Sequence, residues 1–189
     1  TCEIIISSPH NSLVTLMDSS DDAVKNSLEE LRKNYVTKLG ENIQIRRFHC
    51  IDNLEKFVTG YTHNNKIGAI VTLAKEDEQL SKDICMQIVA SNPLGLDEKS
   101  LEEKLLENEK DVYKAELDKI DKKDDIKRNI MDGKVKKFIS DNTLLNQPYI
   151  KHSSLSLKKI IKDNEIISYE RYQLGEGIEK KQEDFADEV

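Results

Sequence analysis

Seven residues, Ile67-Gly68-Ala69-Ile70-Val71-Thr72-Leu73, limit the fold more than any other stretch. In a strand, Ile67, Ala69, Val71 and Leu73 share one face, and Gly68, Ile70 and Thr72 take the other. Both faces are largely apolar. That pattern predicts a strand in the middle of a sheet, covered on both sides. Neighbours for it stand nearby. A strand is expected through Phe57, Val58 and Tyr61, joined to the central one by a turn at His63-Asn64-Asn65. A last strand is expected over 166–174, closed by Gly175-Glu176-Gly177. Cover is offered by a helix over 76–91, where Leu80, Ile84 and Ile88 form a stripe widened by Cys85 and Val89. Asn92-Pro93-Leu94-Gly95 stops it. A short helix over 156–163 carries Leu157, Ile160 and Ile161.

The amino-terminal part has its own logic. Residues 1–7 read as a helix tail or a short strand, and Ser8-Pro9-His10-Asn11-Ser12 as a breaker. A helix begins near Ser20, a plausible N-cap, with Asp21 and Asp22 in the first turn, where the helix dipole favours negative charge. Val24, Leu28, Leu31 and Tyr35 draw one apolar stripe that Leu39 extends. Gly40 supplies the left-handed conformation that ends a helix. Ile43 and Ile45 alternate with Gln44 and Arg46, so a half-buried strand is expected to follow. The result is a rigid corner at residues 39–42.

Between the two halves of the sheet lie two long charged helices, expected over 97–120 and 124–141. Leu106, Tyr113 and Ile120 are spaced by seven, with Leu117 beside them; Met131, Val135 and Phe138 make a similar seam. Narrow seams on charged helices predict an antiparallel, coiled-coil-like hairpin reaching into solvent, with Lys122-Lys123-Asp124-Asp125 at its tip. Gln147-Pro148 breaks the pattern on the return. Strands and helices mix without regular alternation, so the class is α+β.

Charge and motif content exclude several functions. There are 29 basic and 36 acidic residues, a net of −7, so no general basic face for nucleic acid is expected. Lys134, Lys136 and Lys137 read as solubilising, and Glu102-Glu103 and Asp124-Asp125 as solvated helix faces. No apolar run approaches the roughly 18 residues of a membrane helix, so no membrane partner is expected. Residues 2–6 are too short and lack a basic flank for a signal peptide. The chain opens on Thr1, read as the start of a fragment or of a processed form. Cys2, Cys50 and Cys85 are far apart, which speaks against a disulfide framework and for a reducing compartment. His10, His49, His63 and His152 have no partner three or four residues away, so no helical metal pair exists. His49 and Cys50 point to opposite faces of a strand. Gly175-Glu176-Gly177 lacks the third glycine and the following βαβ unit of a nucleotide loop. No catalytic residue, metal set or cofactor site is read here.

Six blocks, in order, resemble a known family. They are Lys38-Leu39-Gly40-Glu41-Asn42-Ile43-Gln44-Ile45-Arg46-Arg47; Tyr61-Thr62-His63 with Lys66-Ile67-Gly68; Ile88-Val89-Ala90-Ser91-Asn92-Pro93; Asp132-Gly133-Lys134-Val135-Lys136-Lys137-Phe138; Leu144, Gln147, Pro148 and Tyr149; and Leu174-Gly175-Glu176-Gly177-Ile178-Glu179. Together they resemble translation elongation factor Ts. The resemblance implies a guanine-nucleotide exchange factor, not an enzyme, whose partner is the GTPase elongation factor Tu. It also implies two related small α+β subdomains, with antiparallel sheets packed by helices and the helical hairpin inserted in the second. The expected divisions are 1–54, 55–96, the hairpin 97–142, 143–178, and the start of a tail at 179–189.

Partner-binding positions carried over by the resemblance are Leu39, Gly40, Asn42 and His63. For Leu39 the alternative is a buried stripe residue, and for His63 a turn histidine without a role; Gly40 and Asn42 also hold the corner through turn chemistry. The family's exchange wedge, an Asp-Phe pair in a Thr-Asp-Phe-Val motif, and its amino-terminal helical module match no residue here. Two rival readings are a helical-hairpin adaptor without exchange activity and a small-molecule enzyme using Gly175-Glu176-Gly177. The expected location is bacterial cytoplasm, or a mitochondrion or plastid after removal of a targeting segment.

Overall fold

A computed structural model describes residues 22–45, 51 and 56–177. Expectations for residues 1–21, 46–50 and 178–189, among them the Ser20 cap and the His49–Cys50 pair, lie outside the described residues. The chain divides into two compact units, Thr1–Leu54 and Glu55–Val189.

In the first unit, α1 spans Asp22–Leu39. Its stripe is buried at Leu28 and half-buried at Val24 and Leu31, but Tyr35 is exposed. Gly40 has φ +70°, and its N–H donates to the Val36 carbonyl at 2.9 Å. A left-handed glycine closing the last turn in this way is the usual helix stop. Residues 42–45 are not in a strand. Ile43 and Ile45 are half-buried and Gln44 exposed, so the alternation is present, but among the described residues it lacks the ladder that makes a strand. What holds this segment is Arg32. Its guanidinium forms a two-point pair with Glu29 at 2.7 and 2.8 Å, and its Nη1 donates to the Ile43 carbonyl at 3.2 Å.

The second unit is built on β1 (Phe57–His63), β2 (Ile67–Leu73) and β5 (Ile166–Gln173), an antiparallel sheet ordered β1-β2-β5. The apolar seven-residue stretch is the central strand. Its 67-69-71-73 face packs under α2 (Glu78–Ser91), where Ile84, Cys85 and Ile88 are wholly buried. Burying an isoleucine of this kind contributes on the order of 2 kcal/mol. Asp77 caps α2 by accepting from the Leu80 N–H at 3.0 Å, and left-handed Asn92 ends it. On the other face Thr72 is buried, and Gly68 and Ile70 are half-buried. Tyr169 ties β5 to the end of α2 by donating to the Pro93 carbonyl at 3.0 Å; burial, then Glu170, pushes its phenol up to about 12.

Residues 97–120 are not one helix. Asp97 and Ser100 form a capping box around a single 3₁₀ turn, Glu98–Ser100, and Leu101 is extended and buried. Only then does α3 run, Glu103–Asp118, followed by α4, Asp124–Asn142. Leu117 is the buried residue of α3, while Ile120, expected in the seam, is past the helix end and exposed. Met131, Val135 and Phe138 are half-buried on α4. Lys134 joins the helices, pairing with Glu116 and lying 5.0 Å from the centre of the Tyr113 ring. An ion pair this exposed is worth at most about 1 kcal/mol.

The return from α4 holds a small sheet that periodicity had not indicated, β3 (Pro148–Tyr149) with β4 (His152–Ser156), ahead of α5 (Leu157–Ile161). Leu144 and Leu157 are fully buried in the main core. Small antiparallel sheets packed by helices make this an α+β fold. Among the described residues, no helix is long and apolar enough to cross a membrane.

Candidate functional site

The corner at the end of α1 is open. Leu39 is 61 % exposed, so it is not a core residue of its stripe. Gly40 and Asn42 are exposed beside it. A Cβ on Gly40 would meet nothing within 4 Å; the positive φ alone calls for glycine there.

His63 lies in the second unit, at the last position of β1. Phe57, Thr59, Tyr61 and His63 alternate onto the face that carries α2. Cys85 and Ser81 of α2 reach Thr59 at 3.4 and 2.9 Å, and Tyr61 packs its ring on the core. Four residues beyond Thr59 the face emerges into solvent at His63. The turn that follows has φ 51° at Asn64 and 55° at Asn65, with the Lys66 N–H donating to the His63 carbonyl at 3.0 Å. Two left-handed central residues match the twist of an antiparallel pair, and asparagine tolerates that conformation best after glycine.

Both ring nitrogens of His63 have neighbours. Nε2 is 3.1 Å from Asn64 Nδ2, and Nδ1 is 3.3 Å from Tyr61 Oη. The sequence marks Tyr61 as a strand and motif residue and Asn64 as a turn residue, neither as a neighbour of the His63 ring. The signal for the pair was the two-residue spacing, which puts Tyr61 and His63 on one strand face.

A buried polar cluster was also missed. The Asp83 carboxylate, 2 % exposed, accepts from Tyr149 Oη at 2.6 Å and Gln79 Nε2 at 2.9 Å, and pairs with Lys151 Nζ at 2.7 Å. Burial pushes its pKa up, but the bonds from Lys151, Tyr149 and Gln79 outweigh it and hold the carboxyl below the ordinary value. Beside it, Gln147 accepts from Gln87 and Ser91 and donates to the Asp141 carbonyl. These groups join α2 to the β3–β4 segment. Bonds that cross from one element to another in this way make an internal tie.

Among the described residues, no cluster of His, Cys, Asp and Glu is arranged to hold a metal. Burial raises the Cys85 thiol to about 11, so it is no ready nucleophile. A cleft of about 400 Å³ opens between α3 and α4, floored by Leu117 and Met131; Gly175-Glu176-Gly177 takes no part in it.

The family model for elongation factor TS matches residues 2–176. Elongation factor Ts of Thioalkalivibrio sulfidiphilus is 35 % identical over 190 residues, covering 99 % of this chain and 64 % of that protein. That of a Nitratiruptor species is 43 % identical over 179 residues, covering 85 % and 58 %. That of Legionella pneumophila is 35 % identical over 179 residues, covering 91 % and 60 %. The chain thus spans about three fifths of the length of these relatives. With the family's pattern running through both compact units, this chain belongs to the elongation factor Ts family.

Proposed function

We propose that this chain acts in translation as a guanine-nucleotide exchange factor, binding elongation factor Tu and promoting GDP release. The observation that carries the reading is the family match over residues 2–176. Exposure of Leu39, Gly40, Asn42 and His63, each at or just past the end of a helix or strand, supports them as partner contacts. The unit built on the three-stranded sheet is read as the second of two related subdomains, with residues 97–142 as an inserted antiparallel hairpin. The proposed location is the bacterial cytoplasm or an organelle of bacterial descent.

The proposed mechanism makes and breaks no bond. The factor binds the nucleotide-free GTPase more tightly than the nucleotide-bound form. By linkage, nucleotide then binds the complex more weakly by the same factor. Contacts made equally in both states add affinity but no exchange. Leu39 and His63 serve as contacts that position the factor against the phosphate-binding region of its partner.

The test is release of labelled GDP from elongation factor Tu, with this chain, with a version extended upstream, and with Leu39→Ala/His63→Ala. The reading expects faster release with the extended chain, and a loss of partner affinity of up to a few kcal/mol in the double variant, the scale of interface hot spots. No acceleration by either chain would sink the exchange reading. Unchanged affinity in the double variant would sink the site.

A further inference from the structure

The turn after β1 does more than expose an imidazole; it selects one of its two faces. Asn64 Nδ2 is a donor, so the His63 nitrogen 3.1 Å from it, Nε2, must accept. In the neutral ring the proton then sits on Nδ1, and Nδ1–H donates to Tyr61 Oη at 3.3 Å. The Tyr61 ring is itself fixed. It packs against the core, pairs in register with Ala69, and lies 6.4 Å from the imidazole, centre to centre, at a tilt of 40°. Asn64 is left-handed in the turn, with its amide exposed beside the imidazole.

We propose that Tyr61 is a positioning residue for His63: its hydroxyl accepts from the Nδ1–H that a donor on Nε2 requires, and so holds the ring with Nε2 presented as an acceptor to an N–H or O–H donor of the bound GTPase. This rests on the reading of His63 as a partner contact. Asn64 occupies the acceptor in the free protein and gives way to the partner's donor. An imidazole with the proton on Nε2 would face that donor with another donor, and the contact would be lost.

Tyr61→Phe tests this, because it removes the hydroxyl and keeps the ring in the core. Long-range proton–nitrogen correlation spectra of the free, labelled chain should show His63 protonated on Nδ1, and Tyr61→Phe should shift that population toward Nε2–H. Affinity for elongation factor Tu should fall roughly fivefold, the scale of one hydrogen bond. In a His63→Ala background the same change should have no effect. A loss of equal size in both backgrounds overturns the proposal, since the hydroxyl would then act on the fold. A free His63 already protonated on Nε2 also overturns it. If His63→Ala weakens binding and Tyr61→Phe does not, only the positioning role fails. If His63→Ala binds as the unaltered chain does, the site reading fails with it.

Discussion

Asp83 shows what one side chain contributes to this fold. A carboxylate that is 2 % exposed stays ionised only because donors surround it. Tyr149 supplies the buried bond and Gln79, itself exposed, a part-buried one, while Lys151 is half in water and screened. The folded carboxyl titrates below its ordinary value. Its contribution is therefore complete above about pH 4, the unfolded value, and is lost as pH falls through the lower folded value. Asp83→Ala should cost about 2 kcal/mol at neutral pH by stranding the buried Tyr149 hydroxyl. Asp83→Asn should flatten the acid limb of stability, read from urea midpoints at pH 7 and pH 3. If the unaltered chain and Asp83→Asn lose the same stability across that range, Asp83 is not the group responsible. The role was not read from the sequence, although a pointer to it is there. Asp83 and Gln87 fall at helical spacing beside Leu80, Ile84 and Ile88, on a face too wide to be all apolar. Their partners, Tyr149 and Gln147, lie 66 and 60 residues away, and periodicity carries no information about such pairs.

Single elements were legible where their periodicity was unbroken; the helix expected over 124–141 runs Asp124–Asn142 although it holds no buried residue. The span of residues 67–73 was read to the residue, but only the 67-69-71-73 face packs under a helix; on the other, Gly68 and Ile70 are half-buried. The helix over 76–91 lost two residues to the cap at Asp77. Residues 97–120 misled because charge-rich sequence with apolar residues every seven reads as unbroken helix; the Asp97–Ser100 capping box is local chemistry that this pattern does not register. Gly95 is part of that chemistry. A Cβ there would come 2.6 Å from Ser100 Oγ and 3.2 Å from the Ser100 carbonyl carbon. That oxygen is already held, accepting from the Asp97 N–H at 2.8 Å and donating to the Asp97 carbonyl at 2.7 Å. Gly95→Ala should therefore cost about 1–3 kcal/mol by overpacking. Gly133, inside α4 with nothing within 4 Å of its virtual Cβ, is the contrast. Gly133→Ala should stabilise by about 0.5–1 kcal/mol through helix propensity alone. Equilibrium urea unfolding of the two variants measures both, and shifts of the same sign would contradict the packing argument.

At the scale of the sheet-based unit, residues 97–142 leave and re-enter at one place. Leu94 N–H donates to the Asn142 carbonyl at 2.8 Å, Leu144 N–H to Gly95 at 2.9 Å, and Leu145 N–H to Leu96 at 3.0 Å, around a parallel bridge between Gly95 and Thr143. No residue of 97–142 belongs to the main core, which runs from Ala69 to Ile166 and includes Leu144 and Leu157 on the return. The buried residues of the excursion, Leu101 and Leu117, lie outside that core. The three clamp bonds need only residues 94–96 and 142–145, and Gln147 needs the Asp141 carbonyl. Replacing 99–138 by a short Gly/Ser linker should thus leave one cooperative unfolding transition for this unit, because a longer or shorter loop changes closure entropy only slowly. The urea dependence should become shallower, since less surface is exposed on unfolding. A broad, non-cooperative transition in the shortened chain would mean that the helix pair is part of what holds the sheet together, and that the clamp is a consequence of the fold and not a boundary within it.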